Sequence, residues 1–224
     1  MSERDILLAS RNEHKLAEIR EMLADLPVRI LSPADVGLAP DPVEEDVERW
    51  STFEANALAK AAWFRHRTGL PTMSDDSGLC VATLGGAPGV WSRRFAPEEE
   101  VGPDGRDAAN NRYLLRLLRG RPEAERAAHY RCALALIDET FQVVVFGRCD
   151  GRIATEAQGS GGFGYDPLFV VPELGETFGN LPPEVKAERS HRAAAIRGIR
   201  RWLAPPTSPA DRAPGVQETA ADSS

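Results

Sequence analysis

At 224 residues and 24.4 kDa, the chain is long enough to bury a substantial hydrophobic core. It carries 27 basic and 34 acidic residues, and the net charge of -7 disfavours a nucleic-acid polymer or an anionic membrane as its partner. The three cysteines have no metal-ligand spacing, and the hydrophobic run near the start is too short for a signal peptide or a membrane span. These features predict a cytoplasmic globular protein with reduced thiols.

The first part of the chain predicts alternating strands and helices. A short apolar run typical of a buried strand is followed by apolar residues at helical spacing, and Ser10 and Glu13 have the spacing of a capping box. The predicted elements are a strand at 5–9, a helix from Ser10 to residue 26, a strand at 28–31, a loop at 32–51 and a helix from Thr52 to about Arg67.

The second part predicts a long antiparallel hairpin between helices. A glycine-rich loop, GSGGFGYDP, occupies 159–167, and the composition of 204–224 is typical of a disordered tail. The other elements are a strand end and turn in PTMSDDSG, a helix at 107–119, hairpin strands AAHYRCALALI and FQVVVFGRCDG, a strand LFVV and a helix from Ser190. This mixture indicates an α/β protein with a mixed sheet.

Two adjacent carboxylates, Asp75 and Asp76, follow an apolar stretch and precede a predicted turn. Carboxylates at a strand end suit Mg²⁺, and one of them could instead activate water as a general base. Taken alone, the pair is more often part of a solvated turn. Arg94, farther along, is either a solvated cation or a phosphate contact.

The start of the first helix is a candidate phosphate site. Helix N-termini present free N–H groups and the positive end of the helix dipole. Ser10 and Asn12 add hydrogen-bond donors and Lys15 adds a cation, although a capped surface helix explains the same residues.

Two further groups could recognise a base. The glycine-rich loop contains Phe163 and Tyr165, whose rings could stack on a base while the glycines allow the backbone to approach it. Lys186, His191 and Arg192 form a compact set of donors, although His191 alone would more often be a cap or surface residue. The combined inventory of carboxylates, cations and donors matches metal-assisted attack of water on a nucleoside polyphosphate.

The motifs resemble those of the inosine/xanthosine triphosphate pyrophosphatases. The matching segments are LLASRNEHK, TFEANALAKA, SDDSGLCVATLGGAPGVWSRRFA, GGFGYDPLF and KAERSHRAAA. The resemblance implies a two-lobed α/β fold with a long mixed β-sheet flanked by helices, in a single domain over 1–203, and a homodimer. It also implies Mg²⁺-dependent hydrolysis of ITP, dITP and XTP to the nucleoside monophosphate and pyrophosphate.

The resemblance also implies roles for individual residues. Asp76 would be the general base, and Glu48 and Asp76 would bind the metal. The residues implied for substrate binding are Ser10, Arg11, Asn12, Glu13, His14, Lys15, Lys60, Ser77 and Arg94 around the phosphates, and Phe163, Gly164, Tyr165, Asp166, Lys186, His191 and Arg192 around the base.

The chain departs from the family pattern in three places. The usual acidic-Thr-Gly-x-Thr-Phe approach to the second helix appears here as Glu48-Arg49-Trp50-Ser51-Thr52-Phe53, so Glu48 is the best match to the metal-binding glutamate and Glu45 is the alternative. Gly179-Asn180 replaces the usual Ala-Glu before Lys186, and Arg11 stands where many members have glycine. Two other interpretations stay open: a pyrophosphatase for a modified pyrimidine nucleotide, and a nucleotide sensor without turnover.

Overall fold

The computed structural model describes residues 3–203, with the side chain of Glu45 left out. Thirteen regular elements follow the chain. They are β1 Arg4–Leu8, α1 Glu13–Met22, β2 Val28–Leu31, α2 Glu44–Val47, α3 Phe53–Thr68, β3 Thr72–Val81, α4 Gly105–Leu117, β4 Ala127–Ile137, β5 Gln142–Ile153, β6 Phe169–Val171, β7 Glu176–Thr177, α5 Pro183–Arg189 and α6 His191–Leu203.

The strands form one mixed seven-stranded sheet in the order β2-β1-β3-β4-β5-β6-β7. β1 pairs in parallel with β2 and β3, whereas β6 pairs antiparallel with β5 and β7. Backbone hydrogen bonds at both ends close the β4–β5 hairpin, from Asp138 to Phe141 (2.9 Å) and from Ile153 to Arg126 (2.9 Å). The predicted mixed α/β sheet flanked by helices is therefore confirmed.

The chain divides into two compact units. Among the described residues, unit 1 comprises 3–76, 132–147 and 192–203, and unit 2 comprises 77–131 and 148–191. In unit 1 the apolar side chains of α1 and α6 pack on one face of the sheet with Ile6, Leu8 and Met73. Leu7 and Ala9 point to the other face and pack with Phe64 of α3. This alternation follows from the period of two residues along a strand.

Unit 2 has its own hydrophobic core, to which α4 and the first residues of β4 contribute. Leu114, Leu118 and Phe169 are fully buried there, and Phe169 stacks on Phe178 with ring centroids 5.4 Å apart. The buried guanidinium of Arg126 donates to the carbonyls of Leu118, Ile153 and Ala154, so its hydrogen bonds are satisfied without a carboxylate.

Several predicted boundaries were wrong. The predicted turn after residue 74 is continuous strand, because β3 runs through both aspartates to Val81. Helix α1 begins at Glu13, and its cap is Asn12 rather than Ser10, since the Asn12 Oδ1 accepts from the amides of His14 and Lys15. The one-turn helix α2 lies inside the predicted loop. The predicted tail, 204–224, lies outside the described residues.

Candidate active site

Strand β3 presents its two aspartates in opposite directions. Successive side chains of a strand alternate between the two faces of a sheet. Asp75 therefore lies on the face covered by α1 and α6, and Asp76 lies on the face covered by α3. The carboxylate cluster, defined as Lys15, Glu48, Lys60, Asp75, Asp76 and Arg192, is built around this strand within unit 1.

Asp75 is a buried anion surrounded by cations. Its side chain is 1% exposed, and its Oδ1 lies 2.6 Å from the Lys15 ammonium. Its Oδ2 lies 3.3 Å from Nε of Arg192, which is itself 1% exposed and also pairs with Glu18. Burial alone would raise the pKa of Asp75, but the charges of Lys15 and Arg192 hold it well below the usual value. Asp75 is therefore held in its ionised form at neutral pH and is shielded from solvent.

Asp76 has the opposite electrostatic character. Burial raises the pKa of this carboxyl to about 6, against the opposing charges of Lys60 and Lys15. Its Oδ2 accepts a hydrogen bond of 2.9 Å from the amide of Asn56, which also bonds both backbone groups of Trp50. Asp76 is thus held in place and partly accessible to solvent, and its pKa lies near neutral pH.

Lys60 contacts both the segment that carries Glu48 and the strand that carries Asp75 and Asp76. Its ammonium pairs with Glu48 and donates to the backbone carbonyl of Asp75 over 2.8 Å. Burial lowers the pKa of Lys60, yet the charges of Glu48 and Asp76 raise it overall, so the lysine stays charged. The same ion pair outweighs burial at Glu48 and lowers the pKa of that carboxyl.

The turn before α1 presents small polar groups. Ser10 Oγ accepts a hydrogen bond of 3.2 Å from the backbone amide of Asn12. Asn12, Glu13 and His14 are exposed. The neighbouring Arg11 uses its guanidinium differently, since its Nε and Nη2 each lie 2.7 Å from one oxygen of Glu44. Within the described residues, the first helix thus supplies Lys15 to the carboxylate cluster.

A second group of predicted residues lies within unit 2, and we name it the aromatic cluster: Tyr130, Phe163, Asp166, Lys186 and His191. Asp166 Oδ2 accepts from the Lys186 ammonium (2.7 Å) and from the amide of Phe163 (2.8 Å). The Lys186 ammonium lies 4.4 Å from the centre of the Phe163 ring, and the ring of His191 stacks on Tyr130 at 4.7 Å. Aromatic faces and a cation are thus gathered at one loop.

The loop that carries Phe163 is fixed by α4. Asp107 accepts from the amide of Gly164 over 2.8 Å, and the amide of Asn111 donates to the carbonyl of Gly164 over 3.0 Å. At Gly162, φ is +73°, and a Cβ atom would lie 2.0 Å from Oδ2 of Asp166. Only glycine therefore allows Asp166 to cap the turn.

Tyr165 and Arg94 belong to the same unit. The Tyr165 hydroxyl donates to the carbonyl of Ser92 over 2.8 Å, and Asn110 donates to Ser92 and Arg93. These bonds fix the 3₁₀ segment Gly89–Arg94, at the end of which the Arg94 side chain is exposed. Ser77, the first residue of unit 2, is partly buried.

The structure therefore brings part of the predicted set together in two groups of contacts, while Ser10, Arg11, Asn12, Glu13, His14, Ser77 and Arg94 lie outside both clusters. Arg192, predicted beside the base, contacts Asp75 and Glu18 in the carboxylate cluster, whereas His191 and Lys186 belong to the aromatic cluster. The residues that sequence reasoning missed are Glu18, Asn56, Asp107, Asn110 and Asn111. Asn56 carried a usable signal, because it is a polar residue three positions after Phe53 on the buried face of a predicted helix.

Comparison with known proteins decides the family. The family model described as "Ham1 family" matches residues 6–202. The chain belongs to the Ham1 family. A dITP/XTP pyrophosphatase of Anaeromyxobacter sp. (strain Fw109-5) is 42% identical, over 89% of this chain and 96% of that protein. The dITP/XTP pyrophosphatase of Burkholderia pseudomallei (strain K96243) is 43% identical, over 87% of this chain and 90% of that protein.

Solved structures of Ham1 proteins share the fold. A HAM1 protein from Coxiella burnetii aligns with a TM-score of 0.77 at 35% identity, covering 89% of this chain and 98% of that one. A nucleoside-triphosphatase, also named dITP/XTP pyrophosphatase, from Mycobacterium abscessus aligns with a TM-score of 0.67 at 40% identity, over 87% of this chain and 98% of that one. The predicted family is confirmed. Across residues 3–203, no helix combines the length and the apolarity that a membrane crossing requires.

Proposed function

We propose that the protein hydrolyses the non-canonical purine nucleoside triphosphates ITP, dITP and XTP to the nucleoside monophosphate and pyrophosphate. The observation that carries this proposal is Asp76, a partly buried carboxylate with a pKa of about 6 beside two lysines. The names of the relatives, dITP/XTP pyrophosphatase, support the same reaction. In the cell, this activity would remove aberrant nucleotides from the precursor pool.

Asp76 acts as the general base. A base works best when its pKa lies near the working pH, because it is then ionised and still binds a proton. Asp76 accepts a proton from the attacking water, whose oxygen bonds to the α-phosphorus. The bond from that phosphorus to the α,β-bridging oxygen breaks, and pyrophosphate leaves with the bridging oxygen. Asn56 orients the carboxylate by bonding one of its oxygens.

Lys15 and Lys60 neutralise charge on the phosphates. Each ammonium has three N–H groups. Lys60 directs two of them to Glu48 and Asp75, and Lys15 pairs with Asp75, so each lysine has donor capacity for a substrate oxygen. Asp75 is shielded from solvent. It therefore holds both lysines in place and does not compete for the attacking water. Ser10, Asn12, Ser77 and Arg94 are proposed as further phosphate donors.

The carboxylate cluster fits a magnesium ion. Glu48 and Asp76 supply hard oxygen ligands, and the charge of Glu48 contributes to the raised pKa of Asp76. No group of three or more His, Cys, Asp or Glu side chains within residues 3–203 forms a complete metal cage. Mg²⁺ typically uses one or two carboxylates together with substrate phosphates, so the two are sufficient. When bound, the ion would withdraw charge from the phosphate oxygens.

The aromatic cluster is proposed to recognise the base. Phe163 offers a face for stacking, and Lys186 and His191 offer donors to a 6-oxo group. An adenine would present its 6-amino group to those donors, and the unpaired donors would weaken binding. Gly164, Tyr165 and Asp166 shape the loop. The homodimer, the single-domain organisation and the cytoplasmic location stay predictions.

The proposal is tested by product analysis. Purified protein would be incubated with ITP, dITP, XTP, GTP, ATP and dUTP, with Mg²⁺ and with EDTA, and the products resolved by ion-exchange chromatography. We expect IMP and pyrophosphate from ITP with Mg²⁺ and little turnover of ATP. Release of IDP and phosphate would contradict the bond assignment, a preference for dUTP would contradict the purine assignment, and binding of ITP without turnover would make the protein a sensor.

A further inference from the structure

Arg11 makes a fork-shaped contact with a segment far away in sequence. Its Nε lies 2.7 Å from Oε2 of Glu44, and its Nη2 lies 2.7 Å from Oε1 of the same carboxylate. The Nη2 group also donates to the carbonyls of Leu38 (3.1 Å) and Ala39 (2.9 Å). Planar two-point pairing of this kind fixes geometry as well as adding energy. The turn between Ser10 and Asn12 is therefore tied to the segment that ends in α2.

Glu44 opens the helix that leads to Glu48. Helix α2 spans Glu44–Val47, and Glu48 is the residue that ends it. A single turn is too short to be stable by itself, and within the described chain the residue before it, Val43, supplies no side-chain cap. The position of Glu48 therefore depends on contacts from outside the helix.

Ion pairs hold this short helix at both ends. Arg11 holds its first residue, and the Lys60 ammonium holds Glu48 at its last turn. The side chains of Arg11 and Glu44 are 29% and 17% exposed, so the pair is more sheltered than an ordinary surface ion pair. Loss of the guanidinium would leave a half-buried carboxylate and two carbonyls without this donor.

We propose that Arg11 is a positioning residue, whose pairing with Glu44 sets the position of Glu48 and thereby the affinity of the site for its divalent cation. This inference rests on the proposed function, because it takes Glu48 as a cation ligand. It differs from the role implied by sequence resemblance, in which Arg11 contacts the triphosphate directly. The two roles predict different kinetic effects.

The test compares Arg11→Ala with Arg29→Ala. Arg29 makes the same fork with Asp5 between β2 and β1, at 2.7 and 2.6 Å, but contacts no residue of the carboxylate cluster. We expect Arg11→Ala to raise the Mg²⁺ concentration for half-maximal ITP hydrolysis about tenfold, as is typical for loss of a residue that orients a metal ligand. The KM for ITP at saturating Mg²⁺ should change little, and Arg29→Ala should leave both quantities unchanged.

Two measurements that do not depend on turnover accompany the kinetics. Hydrogen exchange should become faster at the amides of 41–50 in Arg11→Ala only, and Mn²⁺ binding to the nucleotide-free protein, followed by electron paramagnetic resonance, should weaken in parallel. The double variant Arg11→Glu/Glu44→Arg, which restores an ion pair in reverse, should recover part of both effects.

The outcomes separate the inference from the proposed function. An increase in the KM for ITP with no change in the half-saturating Mg²⁺ concentration would place Arg11 on the phosphates and overturn the positioning role. Unchanged exchange at 41–50 would overturn it as well. A wild-type protein that hydrolyses no nucleotide would instead refute the proposed function, while faster exchange in Arg11→Ala would still support the tie between Arg11 and the Glu48 segment.

Discussion

The two faces of β3 in unit 1 hold adjacent carboxylates in opposite states. On the face of α1 and α6, Asp75 is enclosed by the charges of Lys15 and Arg192, which keep its pKa low. On the face of α3, Asp76 has one amide partner and a pKa raised by burial to about 6. Neighbours along a strand thus acquire separate roles because each face brings different side chains. One carboxylate organises the cations, and the other is left with the basicity that proton transfer needs.

The largest expected effect is a loss of turnover when Asp76, on the α3 face of β3, is changed. Asp76→Asn keeps the shape of the side chain but removes the base, so we expect kcat for ITP to fall by about 10²- to 10⁴-fold. The affinity for ITP, measured by calorimetry in EDTA so that the metal-binding role of Asp76 does not contribute, should change little. Asp150→Asn, on the exposed surface of β5, is the matched control. Turnover within a few fold of wild type in Asp76→Asn would mean that another group takes the proton.

The next effect concerns stability on the opposite face. Asp75→Asn removes a buried anion that pairs with the fully buried Arg192, whose pair with Glu18 is retained. Removal of one partner from a buried ion pair costs about 3–5 kcal/mol. We therefore expect the free energy of unfolding, measured with urea, to fall by about 3 kcal/mol. The control, Asp5→Asn, breaks an exposed pair with Arg29 and should lower the free energy of unfolding far less. Equal losses in the two variants would show that Asp75 is not the organising anion.

A smaller effect is the pH dependence of stability due to Asp76. Its folded pKa of about 6 exceeds the ordinary value of 3.8, so the fold prefers the protonated carboxyl. The resulting stabilisation is complete below pH 3.8 and is lost as the pH rises through 6. In EDTA at pH 7.5, Asp76→Asn should therefore unfold with a free energy roughly 1–3 kcal/mol above wild type. The difference should vanish near pH 4, and a constant difference across that range would contradict the raised pKa.

The smallest effect tests the thiol that lies beside Asp75. Cys132 is fully buried, and its Sγ lies 3.5 Å from Oδ2 of Asp75. Burial and the Asp75 charge raise the pKa of this thiol well above its usual value, so it remains a weak hydrogen-bond donor. Cys132→Ala should reduce stability by about 1 kcal/mol with kcat nearly unchanged, as judged against Cys80→Ala in unit 2. A large loss of activity would mean that the thiol orients Asp75.

Much of the fold could be predicted from local patterns. The α3 helix and the β4–β5 hairpin follow from apolar periodicity and turn residues, and the structure contains both. The strand through both aspartates was missed, because acidic residues next to serine and glycine are typical of turns. Cations from distant helices stabilise this acidic strand, and no local pattern records such contacts.

The site was predictable as a list of residues but not as an arrangement. Sequence motifs indicated Lys15, Lys60, Asp76 and Lys186, which all occupy charged clusters. They did not indicate that Arg192 pairs with Asp75 or that Arg11 pairs with Glu44. Both pairings join residues more than 30 positions apart in the sequence. The direction of Arg192 on α6 and of Arg11 in the turn before α1 decides these contacts, and both directions are set by packing of the whole unit.

The close fit at Gly162 limits how the protein can change its substrate. Any side chain there would collide with the Asp166 carboxylate, which also receives the ammonium of Lys186. Random variation at this position would therefore yield poorly formed loops rather than altered preferences. A library aimed at new bases should keep Gly162 and Asp166 constant and diversify Phe163, whose ring is partly exposed and lies beside the Lys186 ammonium.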